Sequence, residues 1–89
     1  MNYVVGYHKV KDFSTWKPFF DKDEQVRQAA GMKLVYLFRS VQDPNSIHLL
    51  FEVEDLGKVK WMMESEELKK KMEESGVIGE PVFHVLEKV

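Results

Sequence analysis

The segment from residue 32 to residue 53 constrains the fold more than any other part of this sequence. Two runs rich in apolar and β-branched residues, 32–41 and 47–53, flank the tetrapeptide Asp43-Pro44-Asn45-Ser46. Proline and Asx residues favour tight turns, and two such runs on either side of a turn are typical of a β-hairpin. The chain on each side of this hairpin is long enough for one further strand and one helix.

The chain before the hairpin predicts a strand followed by a helix. Residues 3–10 are rich in β-branched and aromatic side chains, and the Asp12 that follows suits a helix N-cap. Over residues 13–30 the apolar side chains recur at helical spacing. Pro18 has no amide hydrogen, so we expect a distorted first turn or a regular helix that begins near Lys17.

The chain after the hairpin predicts a divided helix and a last strand. Helical patterning covers residues 56–64, and Ser65 followed by two glutamates indicates the N-terminus of a second helix. Gly79 and Pro81 bracket a turn, and residues 82–89 alternate well enough to form a strand.

This order of elements predicts an α+β fold of the ferredoxin-like βαββαβ type. Connection rules favour a four-stranded antiparallel sheet with the helices on one face. Residues 1–89 fit one domain. A lone core of this size leaves a small stability margin, so either an efficient core or a partner has to compensate.

Composition excludes several function classes. Thirteen basic and fifteen acidic residues give a net charge of −2, unlike the basic surfaces of most nucleic-acid-binding domains. The chain has no cysteine, hence no disulfide, thiol nucleophile or thiolate metal site, which fits a reducing compartment. No signal-peptide pattern and no run of about 20 apolar residues is present. We therefore expect a soluble cytoplasmic protein with neither a nucleic-acid nor a membrane partner.

The turn predicts a register for the hairpin and thereby two different sheet faces. If Asp43 pairs with Ser46, one face is uniformly apolar and is assigned to the helices. The opposite face then carries Arg39, His48 and Glu52 among apolar residues, too apolar a mixture for a fully wet surface. We expect a second subunit to cover this face and to enclose a cavity between the two sheets. The face assigned to the helices consists of Met32, Leu34, Tyr36, Phe38, Ile47, Leu49, Phe51 and Val53.

Arg39, His48 and Glu52 form a candidate site in this register. Arg39 faces Leu50, and His48 and Glu52 are its diagonal neighbours at roughly 7–8 Å. An ion pair between Arg39 and Glu52 is expected. Two interpretations stay open: the pair specifies register or a subunit interface, or Arg39 anchors an anion or carbonyl while His48 or Glu52 moves a proton.

The three histidines, His8, His48 and His84, fall on three predicted strands without the local spacing of a metal motif, so no metal site is predicted. His8 is a further candidate acid or base because it lies near the end of a predicted central strand. Alternation leaves the face it occupies undecided.

Aromatic and methionine side chains recur along both predicted helices and could form a box for a planar ligand. Helical spacing favours the other interpretation, in which they form the core between helices and sheet. The set comprises Phe13, Trp16, Phe19, Phe20, Trp61, Met62, Met63 and Met72.

The length, the order of elements and the half-apolar sheet resemble the dimeric α+β barrel superfamily. Small cyclase-like and monooxygenase-like members are similar over nearly the whole chain. The residues that carry the resemblance are His8-Lys9-Val10-Lys11-Asp12-Phe13, Trp16, Phe20-Asp21, the turn region 39–45, Phe51-Glu52, residues 65–72 and Gly76-Val77.

The resemblance implies a homodimer that binds a small hydrophobic organic molecule and acts as a cofactor-independent monooxygenase, isomerase or cyclase. His8, His48 and Glu52 would be its catalytic residues, and Arg39 and Trp61 would bind substrate. Haem-degrading members ligate iron with a histidine of the second helix, but residues 56–76 contain none, so no cofactor is predicted. The alternative is a non-catalytic binding or dimerisation module.

Overall fold

A computed structural model describes residues 2–89. These residues form one four-stranded antiparallel sheet with helices packed on one face. Its strands are β1 (Asn2–Val10), β2 (Met32–Arg39), β3 (Ser46–Val53) and β4 (Val77–Glu87). Its helices are α1 (Phe13–Lys22), α2 (Glu24–Ala29), α3 (Leu56–Met63) and α4 (Glu66–Glu74). The strand order β2-β3-β1-β4 confirms the predicted ferredoxin-like α+β class.

The first helical segment differs from the prediction, because it is divided into α1 and α2 at Asp23. Asp12 caps α1 as expected, and its carboxylate accepts a hydrogen bond from the amide of Thr15 at 3.0 Å. Pro18 lies inside α1 and does not delay its start. The expectation of a late start was therefore wrong, whereas the division of the second segment near Ser65 is confirmed.

The last strand is longer than predicted, because the expected turn at Gly79 and Pro81 is a bulge inside β4. Tyr7 pairs with Val82 and Lys9 pairs with Ile78, which leaves residues 79–81 opposite a single residue of β1. Gly79 has a φ of 72°, a left-handed conformation that glycine adopts without strain. The bulge lies opposite His8, and bulges are frequent beside functional sites.

The hairpin register is also different from the prediction. Leu34 pairs with Phe51, but a bulge follows, and Arg39 then pairs with Ile47. Ile47 is fully buried in the core between sheet and helices. Arg39 therefore lies on the helix side of the sheet, and the predicted placement opposite Leu50 was wrong.

The register is displaced because the connection between β2 and β3 is wider than a two-residue turn. The amide of Ser40 donates to the carbonyl of Ser46 at 2.9 Å, so these two residues close the loop. The hydroxyl of Ser40 accepts hydrogen bonds from the amides of Gln42 and Asp43. Beyond the bulge, Tyr36 and Phe38 consequently lie on the sheet face opposite the helices.

The core is formed by the helix side of β1 and β3, by Met32 of β2 and by a few helix residues. Gly6 allows Phe83 of β4 to approach the sheet, since a Cβ at residue 6 would lie 2.8 Å from the Phe83 ring. Trp16 of α1 and Val59 of α3 complete the core from the helix layer. Within residues 2–89, no helix has the length and apolarity needed to span a bilayer. The large apolar residues buried on the strands are Val4, Val10, Met32, Ile47, Leu49, Phe51 and Val53.

Candidate functional site

A cavity of about 510 Å³ lies between the sheet and the helices. This volume is within the range of small-molecule pockets, roughly 300–1,000 Å³. The sheet contributes His8, Leu49 and Phe83 to the lining, and the helices contribute mainly aromatic and methionine side chains. From the sequence we expected a cavity between two paired sheets, whereas this cavity lies on the helix side of one sheet, within one chain.

His8 is a buried polar residue in the sheet wall of this cavity. It pairs with Ile47 in the sheet and is only 4% exposed. Within residues 2–89, neither its Nδ1 nor its Nε2 has a hydrogen-bond partner. Burial lowers the pKa of His8 from 6.5 to about 4, so the imidazole is neutral at pH 7, with one nitrogen as donor and the other as acceptor.

A continuous column of rings runs from His8 along one wall of the cavity. The rings of His8 and Trp16 meet edge to face with their centroids 5.3 Å apart. Trp16 stacks on Phe20 at 4.8 Å, and the guanidinium of Arg27 lies 3.8 Å from the centroid of the Phe20 ring. His8 and Arg27 therefore stand at the two ends of one row of aromatic side chains.

The helices carry polar groups where they come together around the cavity. Lys71 of α4 approaches the carboxylate of Asp23, between α1 and α2, with a nitrogen-to-oxygen distance of 3.4 Å. Both residues line the cavity, as does Trp61 of α3. Trp61 is 78% exposed, which places it at the rim.

The five residues predicted from the sequence do not come together. His8 and Trp61 line the cavity, whereas Arg39, His48 and Glu52 are not among its lining residues. Arg39 stacks over the ring of Phe13 at 4.7 Å. Within residues 2–89 no ion pair joins Arg39 to Glu52, so that expectation was wrong.

His48 and Glu52 lie on the sheet face opposite the helices, which we call the open face. They pair there with Tyr7 and Tyr3 of β1, and the ring centroids of Tyr7 and His48 are 4.9 Å apart. Tyr36 and Phe38 of β2 share this face and are more than half exposed. The open face is therefore largely apolar. Its other exposed apolar residues are Ile78, Val82 and Leu86.

Apart from Trp61, two groups of cavity residues were not identified from the sequence as functional. The aromatic and methionine set was assigned to the core, but all of it except Phe13 lines the cavity. Arg27 was not singled out in the sequence analysis. Its place in the sequence could have indicated a cavity residue, because Arg27 lies one helical turn after Asp23 and next to the apolar stripe of the helix.

Several solved structures share this fold at low sequence identity. A provisionally named antibiotic biosynthesis monooxygenase of Bordetella bronchiseptica is 16% identical, with a TM-score of 0.78 over 99% of this chain and 96% of that one. A protein of the same provisional name from Caulobacter crescentus CB15 is 19% identical, with a TM-score of 0.73 over 99% and 89%. An uncharacterized NIPSNAP domain protein of Burkholderia xenovorans is 6% identical, with a TM-score of 0.67 over 100% and 95%.

These likenesses confirm the fold that the resemblance implied, and at these identities they show the fold alone. No protein-family model matches the chain, and no curated protein matches it. One scaffold can host unrelated chemistries, so the fold alone does not define the function.

Proposed function

We propose that this protein binds a small, mostly apolar organic molecule in the helix-side cavity and acts on it as a monooxygenase-like enzyme. The observation that carries the proposal is the buried imidazole of His8, which lines the mostly apolar cavity and whose two ring nitrogens have no hydrogen-bond partner within residues 2–89. Buried polar groups are nearly always hydrogen-bonded, so a ligand hydroxyl or carbonyl is the expected partner.

The neutral imidazole of His8 can accept a proton from a ligand hydroxyl or from an acidified C–H group. The anion formed beside it would favour the imidazolium and raise the pKa of His8 from its low value. Oxygenation of an activated CH₂ group to a ketone consumes one O₂ and releases one water, so it needs no outside reductant. Isomerisation or cyclisation would begin with the same proton transfer.

The test is equilibrium dialysis of the protein against 2-naphthol and against naphthalene. Hydroxyl hydrogen bonds contribute about 0.5–1.5 kcal/mol, so 2-naphthol should bind about three- to tenfold more tightly than naphthalene. His8→Phe should abolish this preference while still binding naphthalene. His48→Phe, the matched change on the open face, should leave the preference unchanged.

Equal binding of the two compounds by the unmodified protein would contradict the role of His8. Retention of the preference in His8→Phe would contradict it as well, because the hydroxyl would then have another partner.

Self-association through the open face is the second part of the proposal. Exposed apolar patches on small domains commonly mark a protein partner, and a two-fold pairing of open faces would bury Tyr36 and Phe38. In this arrangement each subunit keeps its own cavity behind the paired sheets, and the catalytic roles predicted for His48 and Glu52 are not needed. The cytoplasmic location stays a prediction from the sequence.

The second candidate function is a non-catalytic dimerisation module, which the same apolar open face favours. The two candidates differ in the cavity, since a module that only dimerises needs no space between helices and sheet. A volume of about 510 Å³, above the roughly 300 Å³ at which ligand pockets begin, supports the ligand-binding proposal.

A further inference from the structure

Arg27 of α2 lines the cavity with much of its hydrogen-bonding capacity unused. Its Nη1 donates to the carbonyl oxygen of Phe20 at 2.9 Å, and its guanidinium stacks on the ring of the same residue. A guanidinium has five N–H donors. Within residues 2–89, no carboxylate oxygen lies within 4.0 Å of this one.

Three carboxylates lie near Arg27, but none of them forms an ion pair with it within residues 2–89. Burial lowers the pKa of Arg27, while Asp23, Glu24 and Asp21 act in the opposite direction, and the group stays charged at pH 7. Asp23, one helical turn earlier, directs its carboxylate to Lys71 at 3.4 Å. A partly buried cation without a close counterion gains most from a planar oxyanion, which it can bind with two parallel hydrogen bonds.

We propose that Arg27 is the anion-binding group of the cavity, and that the ligand is a hydroxylated aromatic acid held between Arg27 and His8. The inference rests on the proposed function and adds a substrate class to it. The column of rings from His8 through Trp16 and Phe20 to Arg27 would support the flat body of the ligand. Its carboxylate would bind Arg27 and its hydroxyl would bind His8.

The experiment adds a third compound, 6-hydroxy-2-naphthoic acid, to the dialysis with 2-naphthol. The two compounds share the hydroxylated ring system, and the acid adds a carboxylate at the far end. The acid should bind the unmodified protein at least about tenfold more tightly, because charge-assisted hydrogen bonds are the stronger class. Arg27→Met should remove this advantage and leave the affinity for 2-naphthol unchanged.

Two further variants separate the role of Arg27 from general effects. Arg39→Met removes the same kind of side chain, also stacked on a phenylalanine ring but outside the cavity lining, and it should keep the full advantage of the acid. Arg27→Lys keeps the charge without the planar fork and should retain part of the advantage. If Arg27→Met does not fold, Arg27→Lys and Arg27→Gln take its place. The inference is overturned if both of these variants prefer the acid over 2-naphthol as strongly as the unmodified protein does.

The outcomes distinguish the inference from the function on which it rests. If 2-naphthol binds in a His8-dependent manner but the carboxylate adds nothing, Arg27 is not an anion site and the proposed function stands. If the acid keeps its advantage in Arg27→Met, the inference is overturned. If neither compound binds, both proposals are overturned.

Discussion

Lowering the pH from 7 to 4 is expected to remove about 3 kcal/mol from the free energy of unfolding, through His8 alone. The pKa of His8 is lowered to about 4 in the folded chain, against 6.5 when unfolded. Between these values the unfolded chain binds a proton that the folded chain does not. The stability that His8 contributes is therefore complete above pH 6.5, falls as the pH falls, and levels off below about 4.

Urea unfolding at a fixed protein concentration across this pH range measures the effect. His8→Leu should lose most of the pH dependence, because it carries no titrating group in the sheet wall of the cavity. His48→Leu removes a histidine from the exposed open face and should keep the dependence of the unmodified protein. If the free energy of unfolding falls equally steeply with falling pH in His8→Leu and in the unmodified protein, His8 is not a buried neutral imidazole. Asp43, whose pKa is lowered by the Asn45 amide and Ser46 hydroxyl, contributes only near the acid end of the range.

Tyr36→Glu is expected to raise the dissociation constant of the dimer roughly a hundredfold. Tyr36 lies on the open face and is 56% exposed, so a charge there has little effect on the fold of one chain. In a dimer that pairs open faces, the carboxylate would be buried without a partner, at a cost of several kcal/mol.

Sedimentation velocity over a range of protein concentrations measures this prediction. The unmodified protein should be a dimer at micromolar concentration and Tyr36→Glu a monomer. Val41→Glu makes the same change of charge on a fully exposed loop residue and should remain dimeric. A monomeric unmodified protein at high concentration would contradict the pairing of open faces.

The fold could be predicted because its signals are local. The helical spacing after Asp12, the new N-terminus after Ser65 and the alternation of the strands each depend on a few neighbouring residues. The hairpin register could not be predicted, because it depends on the loop that the Ser40 hydroxyl organises and on a bulge after Leu34. One extra residue in β2 exchanges its faces, which moved Arg39 away from Glu52.

The candidate site could be predicted only in part, for a related reason. His8 was recognised from its residue type and strand position, but its face depended on pairing with β3. Whether aromatic and methionine side chains fill a core or line a cavity depends on the distance between helices and sheet, which tertiary packing sets. Arg27 has the sequence environment of a solvated charge, and its contact with Phe20 appears only in the fold.

A crystal structure of the protein with 6-hydroxy-2-naphthoic acid tests the central claim, a ligand site between the helices and the sheet. We expect the ring system of the ligand to lie against Trp16 and Phe20. Its hydroxyl oxygen should lie within hydrogen-bonding distance of a ring nitrogen of His8, roughly 2.6–3.2 Å. A ligand bound between two paired sheets would contradict the account. So would a helix-side space filled by the side chains of the protein itself.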